Sequence, residues 1–513
     1  MKKKKVFLIL IFSLALLSRF LIFKESTYFG FDEARDAYTA ENIYRLHDLR
    51  LIGPPANAPG LFHGPLYWYL LGPLYLLGQG NPYFVSAIFR VLNALGVLTI
   101  FGLAQAYFGS LTGFIAAALY AFSFEQNQYA MYVCHPPLAI FSWMAMFGGV
   151  IILEKRKNKF WGLPLLLGGA ASAVQFELLM ISSLGVALVL LWLLRDKLKK
   201  VPWQSWLLAF GTALFFLSTY LLAEIKYGFR SIKSAFSLLK SDYNVMPAEQ
   251  TKVGLYLKQL TLMFHDNLWP LPDFLLYPSF LSFIVLLLFY ARKEKLVRFI
   301  LIWLSGGIFL SLLGSYNAYY VNAGISLGII LGAAFLLGKL WQKNRLMSLI
   351  ALASILITNF IFTYRQKPQS LIVDMKPQPY MKLADEERVI DKMYQYAENK
   401  GFTIRATNIP FSIPTVWAYL FENYALKKFG YLPYWETGPV LGFPGELPKP
   451  TKGSTCTRYL IQEPSRGIPG VLIEYNLKEE NIFSTIVKEE KIGDFILQTR
   501  QSIDKDCHQK KPI

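Results

Sequence analysis

Apolar runs of close to twenty residues recur through the first ~365 positions of this chain. Few features constrain a fold more tightly. A bilayer core takes a helix of about 20 mostly apolar residues, because the backbone must satisfy its own hydrogen bonds where no water reaches. The first run follows Met1 and the lysines Lys2–Lys5 and ends at about Phe23. It passes through Ser18-Arg19-Phe20 without a small-x-small cleavage site, which favours an uncleaved first helix over a signal peptide. Further runs lie near 83–107, 110–124, 136–153, 160–176, 178–194, 205–223, 274–291, 297–314, 319–339 and 346–363. The reading is an α-helical polytopic membrane protein of about 11 transmembrane helices.

Charge sets the orientation. If the four lysines hold the N-terminus in the cytoplasm, alternation places Glu154–Lys159, Arg195–Lys200, Arg292–Arg298 and Gln342–Arg345 on that same side. Every substantial basic block then obeys one rule. This accounts for the net charge of +18, from 52 basic and 34 acidic residues, without a nucleic-acid partner. The basic run at 509–511 is too short for a nucleic-acid arm. At 17%, charged residues are well below the soluble norm of about 25%. The predicted location is the plasma (inner) membrane.

The outer face receives loops at about 24–82 and 224–273, short ones at 125–135 and 315–318, and everything after Tyr364. Two regions follow: 1–364, transmembrane, and 365–513, an extracytoplasmic domain of mixed α/β pattern. In that domain Asp385–Lys400 has helical spacing, with Gly401 as its stop. Thr415–Phe429 reads as a second helix. Phe402–Ile409, Tyr459–Ile461 and Asp494–Thr499 read as strands. Cys456 and Cys507 share this domain. If paired they would close a loop of ~50 residues, adding about 4 kcal/mol; two free thiols fit the sequence equally well. The third cysteine is Cys134, and no metal-ligand spacing is present.

The first outer loop carries the densest chemistry. Read as a helix, 28–42 places Asp32, Arg35, Asp36, Thr39 and Asn42 on a wet face and Phe31, Ala34 and Tyr38 on another. That is an amphipathic helix at the membrane surface. Adjacent carboxylates there can take a proton from an attacking hydroxyl; a solvated helix start, where acids favour the dipole, is the plainer alternative. Two histidines precede prolines. His63 lies in Phe62-His63-Gly64-Pro65-Leu66-Tyr67, and His135 precedes Pro136, which would open the next helix. Either could meet a phosphate or relay a proton. Each could also be an interfacial or helix-start residue without chemistry. Arg19, Glu177 and Arg90 are the charges nearest to apolar runs; Glu177 reads as an outer turn, since a charge at the bilayer centre costs about 2.5–3.5 kcal/mol. In the 224–273 loop Arg230, Lys233, His265 and Asp266 read as solvated.

These pieces, in this order, resemble the GT-C glycosyltransferases that use polyprenyl-phosphate sugars, of the family 39 type that includes bacterial relatives of protein O-mannosyltransferases and the lipid A aminoarabinose transferases. The resemblance is strongest over 28–153 and rests on Asp32-Glu33-Ala34-Arg35 just after the first span, on 62–67, and on Arg90. It implies a sugar on a lipid phosphate as donor, an undefined acceptor, and inverting displacement. It implies Asp32 as general base, Glu33 as its neighbour or a metal contact, and Arg35, Asp36, His63, Tyr67, Arg90 and His135 as donor-phosphate or substrate contacts. A divalent cation is left open, with Asp32 and Glu33 as its contacts. One departure stands out. The lipid A transferases have Glu-Lys-Pro where this chain has His63-Gly64-Pro65, so their phosphate-binding lysine is absent. A lipid-linked-saccharide flippase and a glycan ligase or polymerase are the competing readings.

Overall fold

A computed structural model describes residues 2–56, 59–240, 252–308, 319–366, 378–411, 413–436, 447–452 and 456–503. Contact clustering divides the chain into two units. The first comprises Met1–Leu21, Leu49–Tyr67 and Phe89–Arg365; the second comprises Ile22–Asp48, Trp68–Ile88 and Gln366–Ile513.

The first unit is helical. The runs read from sequence appear as Lys2–Phe20, Pro82–Phe108, Ser110–Phe122, Pro136–Lys155, Gly162–Phe176, Ser182–Leu193, Trp203–Lys226, Asp273–Ala291, Lys295–Leu304, Leu327–Lys343 and Arg345–Gln366. Among the described residues, five helices are long and apolar enough to cross a membrane. Shorter apolar helices accompany them, so lengths alone do not fix the figure of eleven. The end of the 297–314 run and the 315–318 loop lie outside the described residues. The 319–339 run starts later than its hydropathy implies, because Tyr319–Asn322 is a 3-10 turn. Parts of the segments expected as outer loops are also helical: Phe124–Met131, Arg230–Lys240 and Lys252–Asn267.

Small residues set the closest approach. The helices Pro136–Lys155 and Gly162–Phe176 pack along their length. A Cβ on Gly169 would stand 2.5 Å from Met146 N and 2.6 Å from Ser142 O; one on Gly149 would stand 2.4 Å from Gly162 O. The Ser172 hydroxyl donates to Ser142 Oγ at 2.9 Å. Backbones come this near only where no side chain intervenes, which suits lipid, where burying grease gains nothing. Charges inside the unit are satisfied locally. Arg19 donates to Asn93 Oδ1 at 2.8 Å and to the Ala15 and Ala121 carbonyls at 3.0 Å.

The second unit is built on a five-stranded sheet of order β2-β1-β3-β5-β4, with β1 Thr403–Thr407, β2 Tyr434–Trp435, β3 Thr457–Gln462, β4 Ser484–Ile492 and β5 Phe495–Ser502. β1 runs parallel to β2 and β3, and β5 runs antiparallel to β3 and β4, so the sheet is mixed. Gly493, at φ +60°, opens the tight β4–β5 turn. The Leu383–Ala397 helix buries Leu383, Val389, Ile390, Met393 and Ala397. It stops at Glu398 and Asn399, both left-handed, ahead of the expected Gly401. Strand β4 and the Gly470–Phe483 helix escaped the sequence reading: β4 is largely exposed and charged, and the helix has little apolar periodicity. Cys456 is disulfide-bonded; Cys507 and the 509–511 run lie outside the described residues.

Candidate functional site

Two constellations emerge, one within each unit. In the sheet unit, Phe31–Arg45 is the expected first-loop helix. Gly30 caps it: the Glu33 carboxylate folds back to accept from the Gly30 N–H at 3.1 Å. Asp32 and Asp36 share one guanidinium. Arg35 Nη1 donates to Asp32 Oδ1 at 2.9 Å, and Arg35 Nε donates to Asp36 Oδ1 at 2.9 Å. Trp68 Nε1 also donates to Asp36 Oδ1, at 3.0 Å.

The wet face is not as expected. Asp36 and Thr39 are buried with Glu33 and Glu41, because the helix packs against Thr415–Leu420. Tyr38 donates to Glu422, and Tyr419 donates to Glu41 Oε1 at 2.8 Å. Polar groups are thus buried on one side of the helix while Asp32 and Arg35 stay part-exposed on another. Burial pushes the Asp36 carboxyl up, with Arg35 pulling the other way. Asp32 keeps 40% of its side chain exposed, against 0% for Asp36. Glu33 is 1% exposed and committed to the helix cap. Among the motif's acids, Asp32 is therefore the one solvent can reach. Among the described residues, the group of three or more His, Cys, Asp or Glu side chains close enough to hold a metal ion does not include Asp32 or Glu33.

The second constellation lies in the helical unit and follows from its packing. Pro136–Lys155 and Gly162–Phe176 are neighbours joined by a short turn, so the start of one meets the end of the other. His135 is the N-cap of the first, with Pro136 opening the helix as expected, and Glu177 is the C-cap of the second. The 53–64 segment folds back on itself, with His63 N–H donating to Pro54 O at 2.9 Å and Gly53 N–H to His63 O at 2.9 Å. Gly64 N–H then donates to Gln175 O at 3.1 Å, which seats His63 beside Glu177. Gly53 permits the fold-back, since a Cβ there would stand 2.2 Å from Gly64 O and 2.8 Å from His63 O.

The result is His63, His135 and Glu177, all buried, with one ligand-capable atom of each within 4.8 Å of the others. His63 Nδ1 is 3.3 Å from Glu177 Oε1, and His135 Nδ1 is 3.7 Å from Glu177 Oε2. The imidazole centroids are 4.2 Å apart. Tyr67 frames them, donating to Val133 O at 3.0 Å. Burial pushes the Glu177 carboxyl up to about 8, opposed by the Leu179 N–H. Such a His and carboxylate set could hold a divalent cation.

The sequence pointed to both histidines but treated Glu177 only as a turn. The turn is real, and it is also fully buried. A second buried group sits in the same unit. Asn267 Nδ2 donates to Glu125 Oε2 at 2.7 Å and Tyr319 donates to Asp266 Oδ2 at 2.8 Å, while His265 Nδ1 is 2.7 Å from Asp266 Oδ1. Asp266 was expected to be solvated and is not, because Lys252–Asn267 is a packed helix. Arg90 lies two turns inside Pro82–Phe108, away from the helix start, buried and donating to the Arg19 carbonyl.

No protein-family model matches the chain, and no curated protein matches it by sequence. Solved structures do match. ArnT from Cupriavidus metallidurans bound to undecaprenyl phosphate aligns with TM-score 0.58 at 11% identity, over 96% of this chain and 97% of that one. The apo state of ArnT from Cupriavidus metallidurans aligns with TM-score 0.56 at 12% identity, over the same shares. The apo Archaeoglobus fulgidus oligosaccharyltransferase aligns more loosely, with TM-score 0.46 at 12% identity over 85% of this chain and 64% of that one. The chain thus has the fold of ArnT, apolar helices joined to a mixed-sheet domain as the apolar runs and the C-terminal pattern led us to expect, and among the described residues five of its helices are long and apolar enough to cross a membrane.

Proposed function

We propose that this protein is a membrane glycosyltransferase that moves a sugar from a polyprenyl-phosphate donor to an acceptor hydroxyl on a lipid, glycan or protein. The observation that carries this is end-to-end agreement in fold with an ArnT structure bound to undecaprenyl phosphate. The first-loop helix adds to it, with an accessible carboxylate held beside a guanidinium. On this reading residues 1–364 form the transmembrane catalytic region, the N-terminus is cytoplasmic, and 365–513 face outward, so the lipid tail stays in the bilayer while the sugar meets the outer loops.

Asp32 is the base. Its carboxylate accepts the acceptor's hydroxyl proton as that oxygen attacks the anomeric carbon. The carbon–oxygen bond to phosphate breaks on the opposite face, configuration inverts, and polyprenyl phosphate leaves with the bonding pair. Arg35, fixed between Asp32 and Asp36, orients the base. Glu33 and Asp36 are supports: one caps the helix and the other anchors the guanidinium. His63, Tyr67 and His135 are donor-side contacts, and Arg90 a buried support. The test is transfer of labelled sugar from a polyprenyl-phosphate donor by purified wild type and Asp32→Asn. Equal rates would remove Asp32 from the chemistry, and moved lipid without a new glycosidic bond would favour a flippase.

A further inference from the structure

The geometry points to a transition-metal site at His63, His135 and Glu177, of the class that binds Zn2+, with three protein ligands and one open position. It is separate from the Asp32–Glu33 pair that the sequence offered for a cation, and it does not depend on the glycosyl-transfer reading.

Three observations support it. First, spacing: ligand atoms about 2.0–2.2 Å from a tetrahedral Zn2+ stand about 3.3–3.6 Å apart. The nitrogen–oxygen separations across Glu177 are 3.3 Å and 3.7 Å. The group, already within 4.8 Å, needs only about an ångström of closure at its widest. Second, charge: Glu177 is fully buried, and among the described residues no lysine or arginine pairs with it. Its Oε2 accepts no hydrogen bond. A buried carboxylate in that state calls for a cation or a proton. Third, the donor set: two imidazoles and a carboxylate suit Zn2+ and its neighbours, whereas Mg2+ and Ca2+ take all-oxygen shells.

The scaffold also fits a metal. Ligands come from three segments held by backbone contacts: a helix N-cap, a helix C-cap and the 53–64 fold-back. Ligation through His63 Nδ1 would displace the Leu178 N–H that donates to it at 3.0 Å, one neutral hydrogen bond exchanged for a metal bond.

The experiment uses full-length protein in detergent, stripped with chelator and titrated with ZnCl2, with Co2+ as a spectroscopic stand-in. One Zn2+ per chain is expected, with a tetrahedral Co2+ absorption band and a rise in melting temperature on loading. His135→Ala and Glu177→Gln should each weaken binding by at least about tenfold, and Asp32→Asn should bind as wild type does. His135→Gln, closer in size, serves if either variant elutes as aggregate. Absence of stoichiometric binding, wild-type binding by the His135 variants, or loss of the metal in Asp32→Asn would each overturn the assignment. Glycosyl transfer is not the readout, so failure here leaves that reading intact.

Discussion

The two units solve opposite solvent problems with the same backbone rules. In the helical unit the large apolar side chains point outward: Leu207 is 65% exposed, Phe215 66% and Phe274 74%. Its interior mixes small residues at the closest helix contacts with large buried rings such as Trp143, Phe147 and Trp303, which stack on one another. In the sheet unit the interior is apolar and aromatic, with Met393, Trp417, Tyr419 and Leu460 buried, and the rim carries charges such as Glu398 and Lys400. The exception is Val471, Ile482 and Val487, along the Gly470–Phe483 helix and β4, where apolar side chains stay exposed. What the contrast teaches is that both units pack large side chains inside, and they differ in what faces out: apolar side chains on the helical unit, and charges along much of the rim of the other.

The comparison extends to the two constellations. Around Arg35 the acids are neutralised by a fixed cation three residues and one residue away. Around Glu177 the partners are titratable imidazoles more than forty positions off in sequence. The first is built around a fixed cation; the second has, among the described residues, no lysine or arginine paired with its carboxylate.

Four experiments would sharpen or break this contrast, ordered from the largest effect. Asp32→Asn should lower transfer by about 10²–10⁴-fold, the usual range for a general base, with little change in melting temperature. Asp36→Ala should act in the opposite sense, costing about 1–3 kcal/mol of stability by stranding Trp68 Nε1 and leaving Arg35 with Asp32 as its carboxylate partner; chemical unfolding in detergent measures it, and a loss confined to activity would contradict the support role. Gly169→Ala should cost the helical unit about 1–3 kcal/mol, since the added carbon meets backbone. A thermal shift in that variant no larger than in an exposed Leu207→Ala would undo the close-packing account.

The fourth concerns pH. Glu463 is buried, accepting from Gln378 at 2.8 Å and Trp417 at 3.0 Å, and burial pushes its carboxyl up to about 7. The folded protein thus binds a proton that the unfolded chain releases near 4.3. This stabilisation is complete below the unfolded value and fades as pH rises through about 7. Melting temperature should fall between pH 5 and pH 8, and Glu463→Gln should flatten the slope; an unchanged slope in the variant would assign it to other groups.

Much of this was legible in the residues. The first-loop helix could be read because its contacts are local: Asp32 to Arg35 is an i,i+3 pair, and Glu33 reaches back three residues to Gly30. The membrane helices were visible for the same reason, since each run of grease declares itself. Burial of Asp36 was not legible, because the covering residues, Thr415–Leu420, lie almost 400 positions away. Strand β4 was hidden because this edge strand is exposed along nearly its whole length, so no face alternates between apolar and polar.

The sequence by itself determined the membrane class, the mixed C-terminal domain and the identity of the acids and histidines worth watching. Hydropathy, charge and helical spacing are properties of short windows, and short windows are what a sequence displays. Only the tertiary structure decided which acid stays open, that Glu177 joins His63 and His135, and that Asp36 and Thr39 on the wet face of the first-loop helix are covered. Those outcomes depend on glycines that let separate backbones meet, at Gly53 beside Gly64 and Gly169 beside Met146, and on the buried contacts such approach creates.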